Sequence, residues 1–217
     1  MEIKVVRQIM EWNEDCHKEL NEKLSENGVI MLNVMGSPGA GKTTFILNLI
    51  KELKKENLKV AVIEGDIAGK IDAELISKEN VPVVQLNTDG ACHIEAQSIK
   101  NILNNFNLKE IDILIVENIG NLVCPAEFNI GEHLKIALLS VPEGDDKVSK
   151  YPLMFTKCNS LIITKSDLRS YFNFDYNKVF DEATKRNKNI KIFAVNSKVH
   201  GCLMEVKEWI VSNIKKC

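Results

Sequence analysis

Apolar residues recur along this chain in two rhythms. Between residues 4 and 26, Val6, Ile9, Met10, Leu20 and Leu24 fall at roughly helical spacing, with a break at Asn13. That pattern predicts an amphipathic helix within residues 1–28, packed on the rest of the chain or on a partner and stopped by Asn27-Gly28. Beyond it come short, continuous apolar runs at 29–35, 60–63, 81–86, 111–116, 136–141, 161–164 and 190–195. Runs of this kind suit strands buried on both faces of a parallel sheet. Most of the segments between them are long enough for crossover helices. The expected fold is α/β: a doubly wound, mostly parallel sheet with helices on both faces, built as one domain over 29–217 that carries the N-terminal helix.

In such a sheet, ligands sit outside the carboxyl ends of the strands. The residues that follow each run are therefore the informative ones. After the first run comes Gly36-Ser37-Pro38-Gly39-Ala40-Gly41-Lys42-Thr43, and then Thr44-Phe45-Ile46-Leu47, which reads as a helix. Strand, glycine-rich loop and helix is the context of a phosphate-binding P-loop. Glycines at 36, 39 and 41 let backbone N–H groups converge on phosphate oxygens, with Ala40, Thr43 and Thr44 at the helix N-terminus behind them. Lys42 is expected to reach the β- and γ-phosphates, and Thr43 to offer its hydroxyl to Mg²⁺. The second and fourth runs end in Glu64-Gly65-Asp66 and Glu117-Asn118-Ile119-Gly120. Phosphate-bound Mg²⁺ takes one or two carboxylates and keeps waters. Asp66 and Glu117 are the candidates, with Asp66 also placed to cap a helix before Ile67-Ala68.

The sixth run leads into Thr164-Lys165-Ser166-Asp167. A carboxylate there can accept from both N1–H and the 2-amino group of guanine, a donor pair that adenine lacks; with ATP the carboxylate would be left unpaired. Lys165 can lay its stem along the base. Asn196, Ser197 and Lys198, after the seventh run, can touch the base from the other side. The predicted nucleotide is GTP.

Composition narrows the class. The chain has 217 residues, 45% hydrophobic and 27% charged, with a formal net charge of −2 and no basic tract. Nucleic acid is thus not the expected partner. No run approaches the ~20 apolar residues of a membrane span, and the start lacks an apolar leader, so a cytoplasmic protein is expected. Six cysteines stand at 16, 92, 124, 158, 202 and 217. In a reducing compartment such cysteines are buried, catalytic or metal-binding rather than cross-linked.

Two of them fall on the predicted nucleotide edge. In Thr88-Asp89-Gly90-Ala91-Cys92-His93, Thr88 or Asp89 is expected to cap a helix starting near Ala91, which would put Cys92 in its first turn, where the helix dipole favours thiolate. Cys124 follows Glu117 by seven residues. Cys92, His93 and Cys124 are candidate ligands for Zn²⁺ or Ni²⁺. On spacing alone the more ordinary reading is buried cysteines beside a surface histidine, since no CxxC…CxxC signature is present. A four-coordinate site would need a water, another side chain or a second copy of the chain.

These strings together resemble the HypB family, GTPases that help deliver nickel to [NiFe]-hydrogenase. The resemblance runs from about residue 29 to 209. It rests on residues 36–44, Glu64-Gly65-Asp66, Asp89-Gly90-Ala91-Cys92-His93, Glu117-Asn118-Ile119-Gly120-Asn121-Leu122-Val123-Cys124-Pro125, Ser140-Val141-Pro142-Glu143-Gly144-Asp145-Asp146-Lys147 and Thr164-Lys165-Ser166-Asp167. It implies a GTP-dependent homodimer that binds Ni²⁺ or Zn²⁺ near its interface through Cys92, His93 and Cys124. Its implied partners are other hydrogenase maturation factors and the hydrogenase large subunit. There are two departures. Many bacterial members carry an N-terminal cysteine cluster or histidine-rich tract, whereas residues 1–28 here offer only Cys16 and His17. Thr164 stands where many GTPases have Asn. No residue stands out as a water-positioning glutamine or an arginine finger, so slow intrinsic turnover is expected, with help coming from a dimer partner.

Three rivals share parts of this pattern. A urease accessory GTPase is disfavoured by 117–125 and 143–147, and a small-molecule kinase by Asp167 and the lack of an arginine-rich lid. A regulatory GTP switch without metal cargo differs only in metal content.

Overall fold

The computed structural model describes residues 2–66, 71–88 and 90–214, with side chains from residue 14 onward. Helix α1 spans Glu2–Glu26. Val6, Ile9 and Met10, the proposed helix cap at Asp89, the capping of Ile67-Ala68 and Cys217 all lie outside the residues or side chains so described.

The chain then alternates: β1 Ile30–Gly36, α2 Lys42–Lys55, β2 Val60–Asp66, α3 Ile71–Ser77, β3 Val83–Asn87, α4 Ala96–Ile102, β4 Ile113–Glu117, α5 Cys124–Glu127, β5 Leu134–Ser140, α6 Lys147–Lys150, α7 Pro152–Lys157, β6 Ser160–Thr164, α8 Tyr176–Arg186, β7 Lys191–Ala194 and α9 Met204–Ile214. All seven expected strands form. They make one parallel sheet in the order β3-β2-β4-β1-β5-β6-β7. The order reverses at β1, so the loop after β1 opens at the topological switch point, where doubly wound sheets bind their ligands.

The period of two along each strand divides the core. Ile30, Leu32 and Val34 of β1 face α2 and α9, packing with Phe45, Leu49, Leu53 and Ile210. Met31, with Ile63, Leu114 and Val116, faces α1 and α4 through Leu20, Leu24 and Ile99. Met35, Ala137 and Leu139 face α7 and α8 through Phe155 and Val179. Each such large apolar side chain contributes ~1.5–3 kcal/mol on burial. The second half of α1 therefore packs on the domain itself, and Gly131 lies so close to Leu20 that an added Cβ would stand 2.8 Å from its Cγ. Burial on both faces holds for β1, β2, β4, β5 and β6 but not for the edge strands: β3 is half-buried, and Lys191 and Ala194 of β7 are exposed. Each edge has a neighbour on one side only, which leaves it incompletely covered.

Candidate nucleotide and metal sites

The P-loop leaves β1 at Gly36 and enters α2 at Lys42. Gly39 and Gly41 take φ of 76° and 92°, left-handed conformations that glycine adopts without a Cβ penalty. Lys42 is buried, and its Nζ donates to the carbonyls of Gly36 and Ser37 at 3.4 and 3.3 Å. Burial holds its pKa below the ordinary lysine value, against the pull of the Glu117 carboxylate. Beside it lies a cavity of about 600 Å³ lined by the loop, Glu64, Asp66, Asp72, Glu117 and Lys165.

Two of the predicted magnesium groups meet directly: Thr43 Oγ1 donates to Glu117 Oε1 at 2.9 Å. Asp66 lines the same cavity at the end of β2. The fourth and second strands are register neighbours, with Glu64 opposite Glu117. The Oε2 atoms of both glutamates are buried without a hydrogen-bond partner. Desolvation, chiefly, raises Glu64 to about 8 and Glu117 to about 7. Carboxylates and a hydroxyl converging on orphaned oxygens are a donor set for a hard cation such as Mg²⁺.

The residues expected to read the base line a second cavity, of about 400 Å³, with Gly41, Thr44, Thr164, Lys165, Asp167, Asn196, Ser197 and Lys198 in its wall. Asp167 Oδ2 accepts from Lys198 Nζ at 2.9 Å, and that hydrogen bond keeps the carboxyl below its usual range, hence ionised as an acceptor. Thr164 is accounted for differently. Its Oγ1 donates to the carbonyl of Ala40 at 2.6 Å, tying β6 to the P-loop, and Lys165 Nζ does the same to Gly39 at 2.7 Å.

At the far side of the P-loop, Cys92, His93 and Cys124 come together, with one ligand atom from each within 4.8 Å of the others. Cys92 Sγ donates to Cys124 Sγ at 2.7 Å with no disulfide between them, and lies 3.6 Å from His93 Nδ1. The His93 ring stacks on Phe128 at 4.0 Å between centroids, and its buried Nε2 has no partner. Burial lowers the His93 pKa, which favours the neutral, metal-binding form. Thiolates and imidazole are a soft set suited to Ni²⁺ or Zn²⁺.

One expectation here is corrected. Cys92 is not in the first turn of a helix: α4 begins only at Ala96, with Glu95 as its N-cap residue. Thr88 closes a turn instead, accepting from the backbone N–H of Ala91 at 3.0 Å while Gly90 takes φ of 95°. No helix dipole lowers Cys92. Its hydrogen bond to Cys124, then burial, holds the thiol above its ordinary value.

The chain matches the profile of the CobW/HypB/UreG nucleotide-binding domain over residues 30–194. The hydrogenase/urease maturation factor HypB of Helicobacter pylori is 39% identical over 214 residues, 97% of this chain and 87% of that protein. The chain belongs to the HypB family. A probable hydrogenase maturation factor HypB of Methanocaldococcus jannaschii is 34% identical, over 98% of this chain and 96% of its own length. The crystal structure of H. pylori HypB in complex with nickel superimposes with a TM-score of 0.88 at 38% identity, covering 94% of this chain and 95% of that one.

In this HypB-family chain several side chains at the two sites carry no sequence signal of their own. Glu64 and Asp72 join the acid cluster only through strand register and the return of α3. Phe128 fixes His93 only because α5 turns it back over the ring. The isolated Cys16-His17 pair stays apart from both sites: Cys16 is buried against Gln97, and His17 pairs with Glu14.

Proposed function

We propose that this protein is a GTP-hydrolysing metallochaperone that binds Ni²⁺ or Zn²⁺ and assists nickel insertion into [NiFe]-hydrogenase. One observation carries the reading. A hard-cation donor set at Thr43, Asp66 and Glu117 and a soft set at Cys92, His93 and Cys124 share the segment from Glu117 to Cys124. Lys42 neutralises charge on the transferred phosphoryl group, and Asp167 accepts from the guanine edge. Asp66 orients the attacking water. Mg²⁺, when bound with nucleotide through Thr43, Asp66 and Glu117, supplies a further positive charge on the phosphates. Among the described residues no arginine lines the nucleotide cavity; Arg169 stacks over Tyr176 and Arg186 pairs with Glu182. Slow turnover, aided by a second copy of the chain, follows.

Three ligands leave a tetrahedral metal one short, which a water or a homodimer partner completes. The working partners are hydrogenase maturation factors and the hydrogenase large subunit, in the cytoplasm. A second client class, urease, is favoured by the name of the H. pylori relative, which couples hydrogenase and urease maturation. The test is metal content of purified, reloaded protein. Cys124→Ala should lose most bound nickel and keep GTP binding; unchanged stoichiometry in that variant would refute the metal assignment.

A further inference from the structure

Between the phosphate and metal sites, Asn121 makes three hydrogen bonds on three segments. Its backbone N–H donates to the Gly36 carbonyl at 3.1 Å, a single antiparallel bridge between the P-loop and the segment after β4. Its side-chain Nδ2 donates to the Cys92 carbonyl at 3.2 Å, and its Oδ1 accepts from the Val123 N–H at 2.8 Å. One residue thus holds the start of the P-loop, the backbone of one metal cysteine and the residue before the other.

The Gly36 carbonyl is shared. It also accepts from Lys42 Nζ, at 3.4 Å. A phosphate oxygen is the stronger acceptor for an ammonium, since the bond is charge-assisted on both sides. When Lys42 turns to phosphate, Gly36 keeps the Asn121 N–H as its donor. Next to this bridge, Gly120 packs on Pro38 so closely that a Cβ would lie 2.8 Å from Pro38 Cγ. The segment therefore moves with the P-loop rather than sliding past it.

We propose that Asn121 is the positioning residue that passes nucleotide state to the metal ligands. The inference rests on the metallochaperone reading above. The amide is suited to the task because Val123 offers an N–H and Cys92 a carbonyl. Only a side chain with an acceptor and a donor at one carbon serves both. Alanine loses both contacts. Aspartate keeps the Val123 contact and sets a carboxylate against the Cys92 carbonyl, which isolates the link to Cys92.

The test is the ratio of Ni²⁺ affinities measured with GDP and with a non-hydrolysable GTP analogue, at fixed Mg²⁺, for the full chain and for Asn121→Ala and Asn121→Asp. A coupling of about 5–150-fold is typical between linked sites. In the variants the expected ratio falls towards one, while each still binds one nickel per chain with the same sulfur-to-nickel charge-transfer absorption. A merely structural role would weaken both states equally and leave the ratio intact. A ratio retained in either folded variant overturns the proposal and leaves the metallochaperone reading standing. A ratio of one in the unmodified chain overturns coupling itself, and this inference with it. Should alanine fail to fold, as judged by thermal unfolding, the near-isosteric aspartate variant decides.

Discussion

At the residue scale, environment separates acids that look alike in the sequence. In Glu64-Gly65-Asp66, the outermost acid reads as the cation ligand, yet Glu64 is the one buried beside Glu117 with an orphaned oxygen. Its carboxyl is raised from 4.5 to about 8. A raised acid favours the folded state below its unfolded pKa and loses that contribution as pH climbs through the folded value. The protein without nucleotide or Mg²⁺ should therefore lose stability between pH 5 and pH 8.5. Glu64→Gln should flatten that loss and exceed the wild type by a few degrees in Tm at pH 8.5, with little difference at pH 5. Parallel melting curves of equal slope against pH would contradict the assignment. Asp167 is the opposite case, half-buried and ionised beside Lys198. Asp167→Asn swaps an acceptor for a donor. It should weaken GTP by roughly 5–150-fold, the equivalent of a 1–3 kcal/mol mismatch, and favour xanthosine triphosphate, as competition binding would show. GTP binding at the wild-type level would mean that the base lies elsewhere.

At the element scale, most of the candidate nucleotide site was legible because polar chemistry follows strands. Continuous apolar runs gave the seven strands, and the residues at their carboxyl ends line both cavities. What was not legible needed register or turn geometry. Glu64 faces Glu117 because β2 pairs β4 rather than β1, which no local pattern encodes. The start of α4 was misplaced because Thr88 is a capping residue by type and a turn residue in fact; Gly90 reverses the chain before any helix can form. The segment after β4 is likewise defined by contact rather than propensity. Gly120→Ala would put a Cβ 2.8 Å from Pro38 Cγ and 3.0 Å from Pro38 N. Overpacking of this kind costs ~1–3 kcal/mol, or roughly 2–4 °C of Tm per kcal/mol in a domain of this size. The displaced P-loop should also bind nucleotide about tenfold more weakly or worse. Wild-type Tm and affinity together would show that the segment yields freely.

At the scale of the whole molecule, two candidate donor sets of opposite chemical hardness stand on one edge of one sheet. Family membership was legible because the strings at both sites are long and fall at strand ends; the spacing of Cys92, His93 and Cys124 alone left the metal open. The structure brings those three together and sets their loops against the P-loop through Gly36 and Asn121. On the proposed function, loss of γ-phosphate contacts on hydrolysis would release segments held at that edge. Metal and nucleotide should then be linked, and the linkage must be reciprocal. The most direct test titrates nickel into the protein with GDP and with a non-hydrolysable GTP analogue, and titrates both nucleotides with and without nickel, while light scattering follows assembly. The account predicts nickel affinities that differ about 5–150-fold between the nucleotide states, matched by an equal change in nucleotide preference when nickel is bound. Identical nickel affinity and identical assembly in both states would contradict it.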